Sequence, residues 1–493
     1  MCAPDIKALT GQAEAQRQTW DVPALMLGIW QDGEPLFSGG FGLRDGKSLP
    51  ADGETLFQIG SCTKAFTAAA AEILAERGLL DLDAPIVQYL PEFDLMDRYA
   101  AAHVTARDLL CHRSGLPRHE YAWYGTDFTR EQLVYNLRYL EPNLELRSSY
   151  QYNNLGFVAV GCLLERLTGK TWEELIRQEL LEPLGMARTT MFLDEALADP
   201  NHALPFDRPV LYGASGCKAI PFHRTAVEDR ANGVGAPFGP AGSIFSCVED
   251  MLRWAAFQLG DGGAGGRQLL CRERLEEMHR PQMIVGAGSA AYPGRGTCFY
   301  GLGWQSRMYR GIKVLHHSGG IDGFTTAFYL APSLHLAVAA NVNMNTCFLA
   351  EAAACAVLDQ ALGVSGDSYG WYRQYNQDMF QSLRDYAAAQ RGTPVSGTAP
   401  SHPEADFTGR YRAAGYNDLV ISRDGEGLVL DFNGFHSSLS HFHYDIYQLE
   451  GYIGELPPGL TLQFFYDTTG AVSRLEIPLV ADPGVKPICF RKV

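Results

Sequence analysis

Leu56-Phe57-Gln58-Ile59-Gly60-Ser61-Cys62-Thr63-Lys64, running on into Ala65 to Ala75, is an apolar strand that gives way to an alanine-rich helix. A serine and a lysine stand three residues apart where the two meet. On a helix, positions i and i+3 share a face with Cβ atoms about 5–6 Å apart, so the Lys64 amine reaches the Ser61 hydroxyl. The first turn of a helix also carries partial positive charge, which favours an anionic nucleophile there. A serine hydroxyl attacks poorly without an adjacent base. Ser61-x-x-Lys64 supplies one, and a covalent acyl-enzyme mechanism is the expectation. The helix is expected to run to Arg77-Gly78, where glycine suits a C-cap. Cys62, rotated about 100° from Ser61, reads as packing. A second spacing of the same kind, Ser215/Lys218, lies in Gly213-Ala214-Ser215-Gly216-Cys217-Lys218 with Pro221 behind it, and reads as a loop coincidence.

Outward from this stretch, Ala24 to Gln31 and Leu36 to Gly42 alternate around Asp32-Gly33 as a β-hairpin. Residues 80–260 are mostly helical with long loops: Ala106–Cys111, Arg130–Tyr139, Gly156–Leu167 and Trp172–Leu184. Strands return at Ile312–His316, Gly323–Leu330 and Leu334–Val342, and a helix follows from Phe348 to Leu362. With strands at both ends and helices between, the economical packing is one antiparallel sheet flanked by helices, with a helical lobe beside it and a cleft at the boundary. The fold class is α+β, of mixed helices and strands. Residues 1–365 form this first domain and 366–404 a helix and linker. Residues 405–493 carry short strands split by Asp424-Gly425 and Thr469-Gly470, expected as a small all-β domain, a lipocalin-like barrel or a sandwich.

Composition narrows the function classes. The chain of 493 residues is 46% hydrophobic and 19% charged, an ordinary globular balance. Its net charge of −16 argues against nucleic-acid binding, which needs clustered Lys and Arg. No run of 18 apolar residues predicts a membrane span, and Met1 to Lys7 shows no secretory signal. Eleven cysteines are scattered singly, which reads as reduced thiols and a cytoplasmic setting. There is no phosphate-binding glycine loop, and no cofactor is implied. His436, His441 and His443 invite a metal reading, but no Cys or paired carboxylate completes a ligand set, so no metal is expected.

Two motifs follow Ser61-x-x-Lys64 in order: Tyr152-Asn153-Asn154, the single Tyr-x-Asn of the chain, and His317-Ser318-Gly319, its single His-x-Gly, followed by Gly320. Supporting stretches are Asp81-Leu82-Asp83-Ala84-Pro85, Val104-Thr105 through Leu116-Pro117, and Pro240-Ala241-Gly242-Ser243-Ile244-Phe245-Ser246. In these motifs residues 20–365 resemble the class C β-lactamase-like serine hydrolases, a superfamily that includes penicillin-binding proteins, D-aminopeptidases and related esterases. The resemblance implies the sheet-plus-helical-lobe fold reached above. It also implies Ser61 as nucleophile, with Lys64 and Tyr152 sharing the base role. A Tyr152 phenolate favoured by Lys64 and His317 is one form of that role; which residue is the base in acylation stays open. Asn154 is implied as a partner of Lys64 and of the substrate amide. His317, on an edge strand lining the cleft where many relatives carry lysine, is implied to bind a substrate carboxylate or polarise Tyr152. Ser318 and Gly319 line the same strand, and the N–H groups of Ser61 and Gly320 form the implied oxyanion hole.

The function expected is a serine hydrolase acting on a small amide or short peptide, including D-amino-acid-containing ones. An esterase or acyltransferase with the same residues, and a non-catalytic binding protein or scaffold, are the alternatives. The loop His119-Glu120-Tyr121-Ala122-Trp123-Tyr124 either walls the pocket or is ordinary packing, and His112, Cys111 and Cys162 read as structural. The C-terminal β domain is expected to cover the cleft or to mediate homo-oligomerisation.

Overall fold

Ala24–Gln31 (β1) and Glu34–Gly42 (β2) form the expected hairpin, turning through Asp32 and Gly33 at φ values of 50° and 98°. Two successive positive φ angles are what a tight two-residue hairpin turn requires. The computed structural model describes residues 4–208, 217–222, 232–287, 296–425, 427–451, 459–480 and 482–493. Ser215 of the second serine–lysine spacing lies outside them.

The hairpin joins six strands from much later in the chain: Met283–Gly286 (β3), Cys298–Tyr300 (β4), Gln305–Tyr309 (β5), Ile312–Ile321 (β6), Phe324–Ala331 (β7) and Leu336–Val342 (β8). The order is β2-β1-β8-β7-β6-β5-β4-β3, antiparallel throughout. The sheet is covered on both faces, because its central strands are apolar at successive positions. Leu25, Leu27 and Ile29 pack with Leu9 and Ala13 of Ile6–Thr19 (α1) and with Leu349–Ala361 (α5). Ala24 and Met26 face the other way, onto the core around Thr63–Glu76 (α2) and Val248–Leu259 (α4). Alternation of side chains along a strand accounts for this division.

Helix α2 is buried from Thr63 to Ala75, and its small alanines let it sit between the sheet and the helical lobe. It begins at Thr63. Ser61 lies just before it, in the tight helical turn Gly60–Cys62, where the sequence predicted the first α-turn. Gly60 sets this difference with φ +50°, and it approaches the β6 backbone so closely that a Cβ there would lie 3.0 Å from Gly320 N. Behind α2 stands Asn154–Thr168 (α3), capped by the Asn153 side chain accepting from Gly156 N. The expected helix 172–184 is interrupted by a wider π turn at Arg177–Leu181.

Strand β6 departs from the expected edge position in part. Its first half pairs with β5 as far as His316, while Leu315 to Ile321 pair with β7. Past His316, the β5 side of β6 is an edge, and the Ser61 turn occupies it.

After Ser368–Arg391 (α6) and an irregular stretch, eight further strands close into an antiparallel barrel: Gly409–Arg412 (β9), Leu419–Asp424 (β10), Gly427–Phe432 (β11), Phe435–His443 (β12), Ile446–Leu449 (β13), Thr461–Tyr466 (β14), Val472–Ile477 (β15) and Ile488–Lys492 (β16). Pairing of Tyr411 with Lys492 closes it and leaves no sheet edge. Of the two architectures expected, it is the barrel. His436, His441 and His443 bond separately, to Asp431, the Tyr444 carbonyl and the Val395 N–H.

Candidate active site

The Ser61 hydroxyl sits between an amine and a phenol. Lys64 Nζ lies 3.1 Å from Ser61 Oγ, and the Tyr152 hydroxyl donates to the same oxygen at 2.8 Å. Lys64 also donates to Asn154 Oδ1 and to the Ala241 carbonyl, each at 2.7 Å. The Ala241 carbonyl is brought there by the turn Gly239–Gly242, which Thr67 of α2 holds through the Pro240 carbonyl at 2.7 Å. Gly161 of α3 makes room for that turn, since a Cβ at this position would meet Pro240 at 2.3 Å.

Burial sets the charge states. Lys64 is fully buried, and desolvation, with Arg118 nearby, drives its ammonium well below the ordinary lysine range. Burial likewise pushes the Tyr152 phenol above its ordinary value. Both groups therefore favour their neutral forms. A neutral amine has two N–H bonds and one lone pair. Asn154 Oδ1 and the Ala241 carbonyl only accept and so use both N–H bonds, which leaves the lone pair facing Ser61. The geometry favours Lys64 as the proton acceptor and Tyr152 as a neutral donor, in place of the phenolate form.

His317 is buried, and both of its ring nitrogens are engaged. Nδ1 lies 2.7 Å from the Ser318 carbonyl, and Nε2 lies 2.9 Å from the Tyr300 hydroxyl. A carbonyl only accepts, so Nδ1 carries the proton and Nε2 accepts from Tyr300. Desolvation, with Lys64 nearby, depresses the imidazolium to about 3, so the ring is neutral. The expected contact with a substrate carboxylate has no free ring nitrogen to come from. His317 instead fixes Tyr300, whose ring packs edge-on against His112 and Tyr152. His112 lies 4.2 Å from the Tyr152 ring, centroid to centroid, and its Nδ1 accepts from Asn153 N at 3.1 Å. It therefore holds the Tyr152 segment in place, as its structural reading implied.

Gly319 and Gly320 lie against the Ser61 turn. A Cβ on Gly319 would meet the Ile59 carbonyl at 1.8 Å, while one on Gly320 would point into open space. The close approach brings the Gly320 N–H beside the Ser61 turn. Cys62 faces away, its Sγ 3.4 Å from the His317 carbonyl, and burial raises its thiol, consistent with packing.

Sequence motifs did not single out Arg118, Tyr300, Asp322 or the Ala241 carbonyl, and they named Glu120 only within its loop. Arg118 stands 5.2 Å from the Tyr152 ring centroid and donates to Glu120 at 2.8 Å. Glu120 in turn accepts from Asn154 Nδ2 at 3.3 Å. The aromatic loop does wall the site, and the barrel packs on it. Asn433, in the turn between β11 and β12, donates to the Tyr121 and Tyr124 carbonyls at 2.9 and 2.8 Å, and Phe435 stacks on Tyr124. The Tyr124 hydroxyl donates to Asp322 Oδ1 at 2.7 Å, next to the glycine strand.

Residues 12–361 match the beta-lactamase family, and the chain belongs to it. Residues 393–492 match a domain of unknown function. The unguisins hydrolase of Aspergillus campestris is 29% identical over 446 residues, 85% of this chain and 78% of its own length. The octameric penicillin-binding protein homologue from Pyrococcus abyssi is 22% identical and superimposes with a TM-score of 0.63 over 99% of this chain and 100% of its own. The D-amino acid amidase from Ochrobactrum anthropi, complexed with L-phenylalanine amide, is 23% identical, with a TM-score of 0.55 over 72% of this chain and 98% of its own. The Pyrococcus likeness spans the whole fold, a β-lactamase fold of mixed helices and sheet followed by a closed eight-stranded barrel, and the amidase likeness covers about the first of these. The family match makes the chain an enzyme of the serine hydrolase superfamily. No helix among the described residues is long and apolar enough to cross a membrane.

Proposed function

We propose that this member of the beta-lactamase family hydrolyses a small amide or short peptide, D-residue-containing ones included, through an acyl-enzyme on Ser61. The observation that carries the reading is the Ser61 hydroxyl held between the Lys64 amine and the Tyr152 hydroxyl. Ser61 Oγ attacks the carbonyl carbon while Lys64 takes its proton. The oxyanion accepts from the N–H groups of Ser61 and Gly320. As the C–N bond breaks, the leaving nitrogen takes a proton from Tyr152, which is restored from Lys64. Water then cleaves the ester, with Lys64 and Tyr152 again moving the proton. Asn154 orients Lys64 throughout, and Ser318 and Gly319 line the groove in which the substrate lies.

Support for an amide substrate comes from the relatives. One is by name a hydrolase of unguisins and another a D-amino acid amidase. The barrel turn packed on the 119–124 loop, which lies beside Asn154 through Glu120, supports a small substrate. We read the chain as hydrolase domain 1–365, connecting segment 366–404 and barrel 405–493. We also read it as cytoplasmic, in keeping with ten described cysteines that are all unpaired. Homo-oligomerisation is part of the reading, supported by the octameric state of the Pyrococcus homologue.

The test is a panel of matched D- and L-aminoacyl amides, dipeptides and esters with the wild type and Ser61→Ala. Amide turnover that favours D-residues and is lost in Ser61→Ala is the expected result. Turnover of esters with none on any amide overturns the amidase reading, and amide turnover that survives in Ser61→Ala overturns the nucleophile.

A further inference from the structure

The geometry points to the Arg118–Glu120 pair as the positioning element of the lysine base. Glu120 fixes which way the Asn154 amide faces, and Arg118 holds Glu120 in place beside the Tyr152 ring. This inference rests on the acyl-enzyme reading and goes beyond it, because neither residue belongs to the serine, tyrosine or glycine motifs.

An asparagine amide has two near-isosteric orientations, one offering an oxygen and the other two N–H groups. The orientation found puts Oδ1 at 2.7 Å from Lys64 Nζ and Nδ2 at 3.3 and 3.5 Å from the two Glu120 carboxylate oxygens. An ionised carboxylate only accepts, so Glu120 can be satisfied by Nδ2 alone. With the amide reversed, Asn154 would present N–H groups to Lys64. Those donors would compete with Ser61 for the amine lone pair, and the nucleophile would lose its base. Arg118 bonds Glu120 through Nε at 2.8 Å and keeps that carboxylate aimed. The Arg118 backbone N–H donates to Asp482 Oδ2 at 3.0 Å, so the barrel anchors the segment that carries the pair.

The pair also sets the field at Lys64. The groups facing the amine are Ser61 and Cys62 from the nucleophile turn, Tyr152 and Asn154 at the start of α3, the Ala241 carbonyl, His112, and His317 of β6 with Tyr300 behind it. The histidines are held neutral by burial, and Tyr152 and Tyr300 by the same cause. Among these described neighbours, Arg118 and Glu120 bring the permanent charges. They act in opposite senses: Arg118 disfavours the ammonium and Glu120 favours it.

The test needs no knowledge of the substrate. The rate at which a fluorophosphonate labels Ser61 in the full-length protein is measured from pH 5 to 10 for the wild type, Glu120→Gln, Arg118→Gln and the double variant. In Glu120→Gln the unbalanced Arg118 charge is expected to move the acid limb down by about one pH unit. The plateau is expected to fall several-fold, because a glutamine amide tolerates either Asn154 orientation. Arg118→Gln moves the limb up by a similar amount, and the double variant returns it close to the wild-type position. Opposite shifts are a readout that a merely structural role does not produce. Acid limbs that stay at the wild-type position in both single variants, or that move in the same direction, overturn the inference. If Glu120→Gln does not fold, as judged by circular dichroism, the upward shift in Arg118→Gln decides alone. A wild type that never labels at Ser61 overturns the acyl-enzyme reading itself, which keeps the two failures apart.

Discussion

Glu72 lies on helix α2, two turns beyond Lys64, and its side chain is wholly excluded from solvent. Arg274 Nη1 donates to one carboxylate oxygen at 3.1 Å, and the other oxygen has no partner among the described residues. Burial outweighs the arginine and lifts the carboxyl from 4.5 to about 7. The sign follows from proton linkage. The folded state holds this proton up to about pH 7, whereas the unfolded chain releases it near its ordinary value. Folding therefore loses stability as pH rises through that window, and the full penalty stands above it. The shift corresponds to about 3 kcal/mol. Glu72→Gln removes the titration while keeping shape and hydrogen-bonding capacity, and Arg274, about a third exposed, can solvate its charge. Urea unfolding at pH 5 and pH 8, followed by tryptophan fluorescence, provides the measurement. The stability difference between variant and wild type is expected to change in the variant's favour by about 2.5 kcal/mol between the two pH values, part of the penalty being already present at pH 5. Parallel behaviour of the two proteins across this range refutes the buried-acid account of Glu72.

Tyr152→Phe keeps the ring contacts with His112 and Tyr300 but removes the donor to Ser61. Fluorophosphonate labelling of Ser61 should slow by about 10²–10⁴-fold with the fold intact by circular dichroism. Gly319→Ala should abolish labelling, because the added methyl overlaps the Ile59 carbonyl that supports the Ser61 turn, while Gly320→Ala, whose methyl meets open space, should label at a rate much closer to wild type. Asn433→Ala leaves the Tyr121 and Tyr124 carbonyls without their donor, a loss of about 1–3 kcal/mol at the barrel contact. Hydrogen exchange of the 119–125 loop should rise in that variant, and unchanged exchange would count against the barrel's hold on the loop.

How much of this was legible before folding differs from residue to residue. Ser61, Lys64 and Tyr152 were legible because the chemistry demands those residue types, and because a helix start converts a spacing of three into contact. The eight-stranded sheet was legible in outline from its apolar runs, but the position of β6 was not. Whether it lies inside the sheet or at an edge depends on how far β5 extends, and β5 begins only at Gln305, opposite His316. Alternation in the last 90 or so residues suits a sandwich and a barrel equally; only the pairing of Tyr411 with Lys492 decides it. The neutral state of His317 was hidden for a related reason, since burial and the Tyr300 hydroxyl both come from elements distant in sequence. Arg118 and Glu120 sit in an irregular loop with no periodicity to assign their direction, and Ala241 acts through a carbonyl that every residue has.

The central claim is that Ser61 is an activated nucleophile. Intact-protein mass spectrometry after exposure to a fluorophosphonate and, separately, to a β-lactam tests it most directly, with Ser61→Ala as the control. A single fluorophosphonate adduct on the wild type that disappears in Ser61→Ala is the predicted result, and a β-lactam adduct on the same residue would add penicillin-binding-like recognition. No adduct from either reagent, or an adduct that persists in Ser61→Ala, contradicts the account.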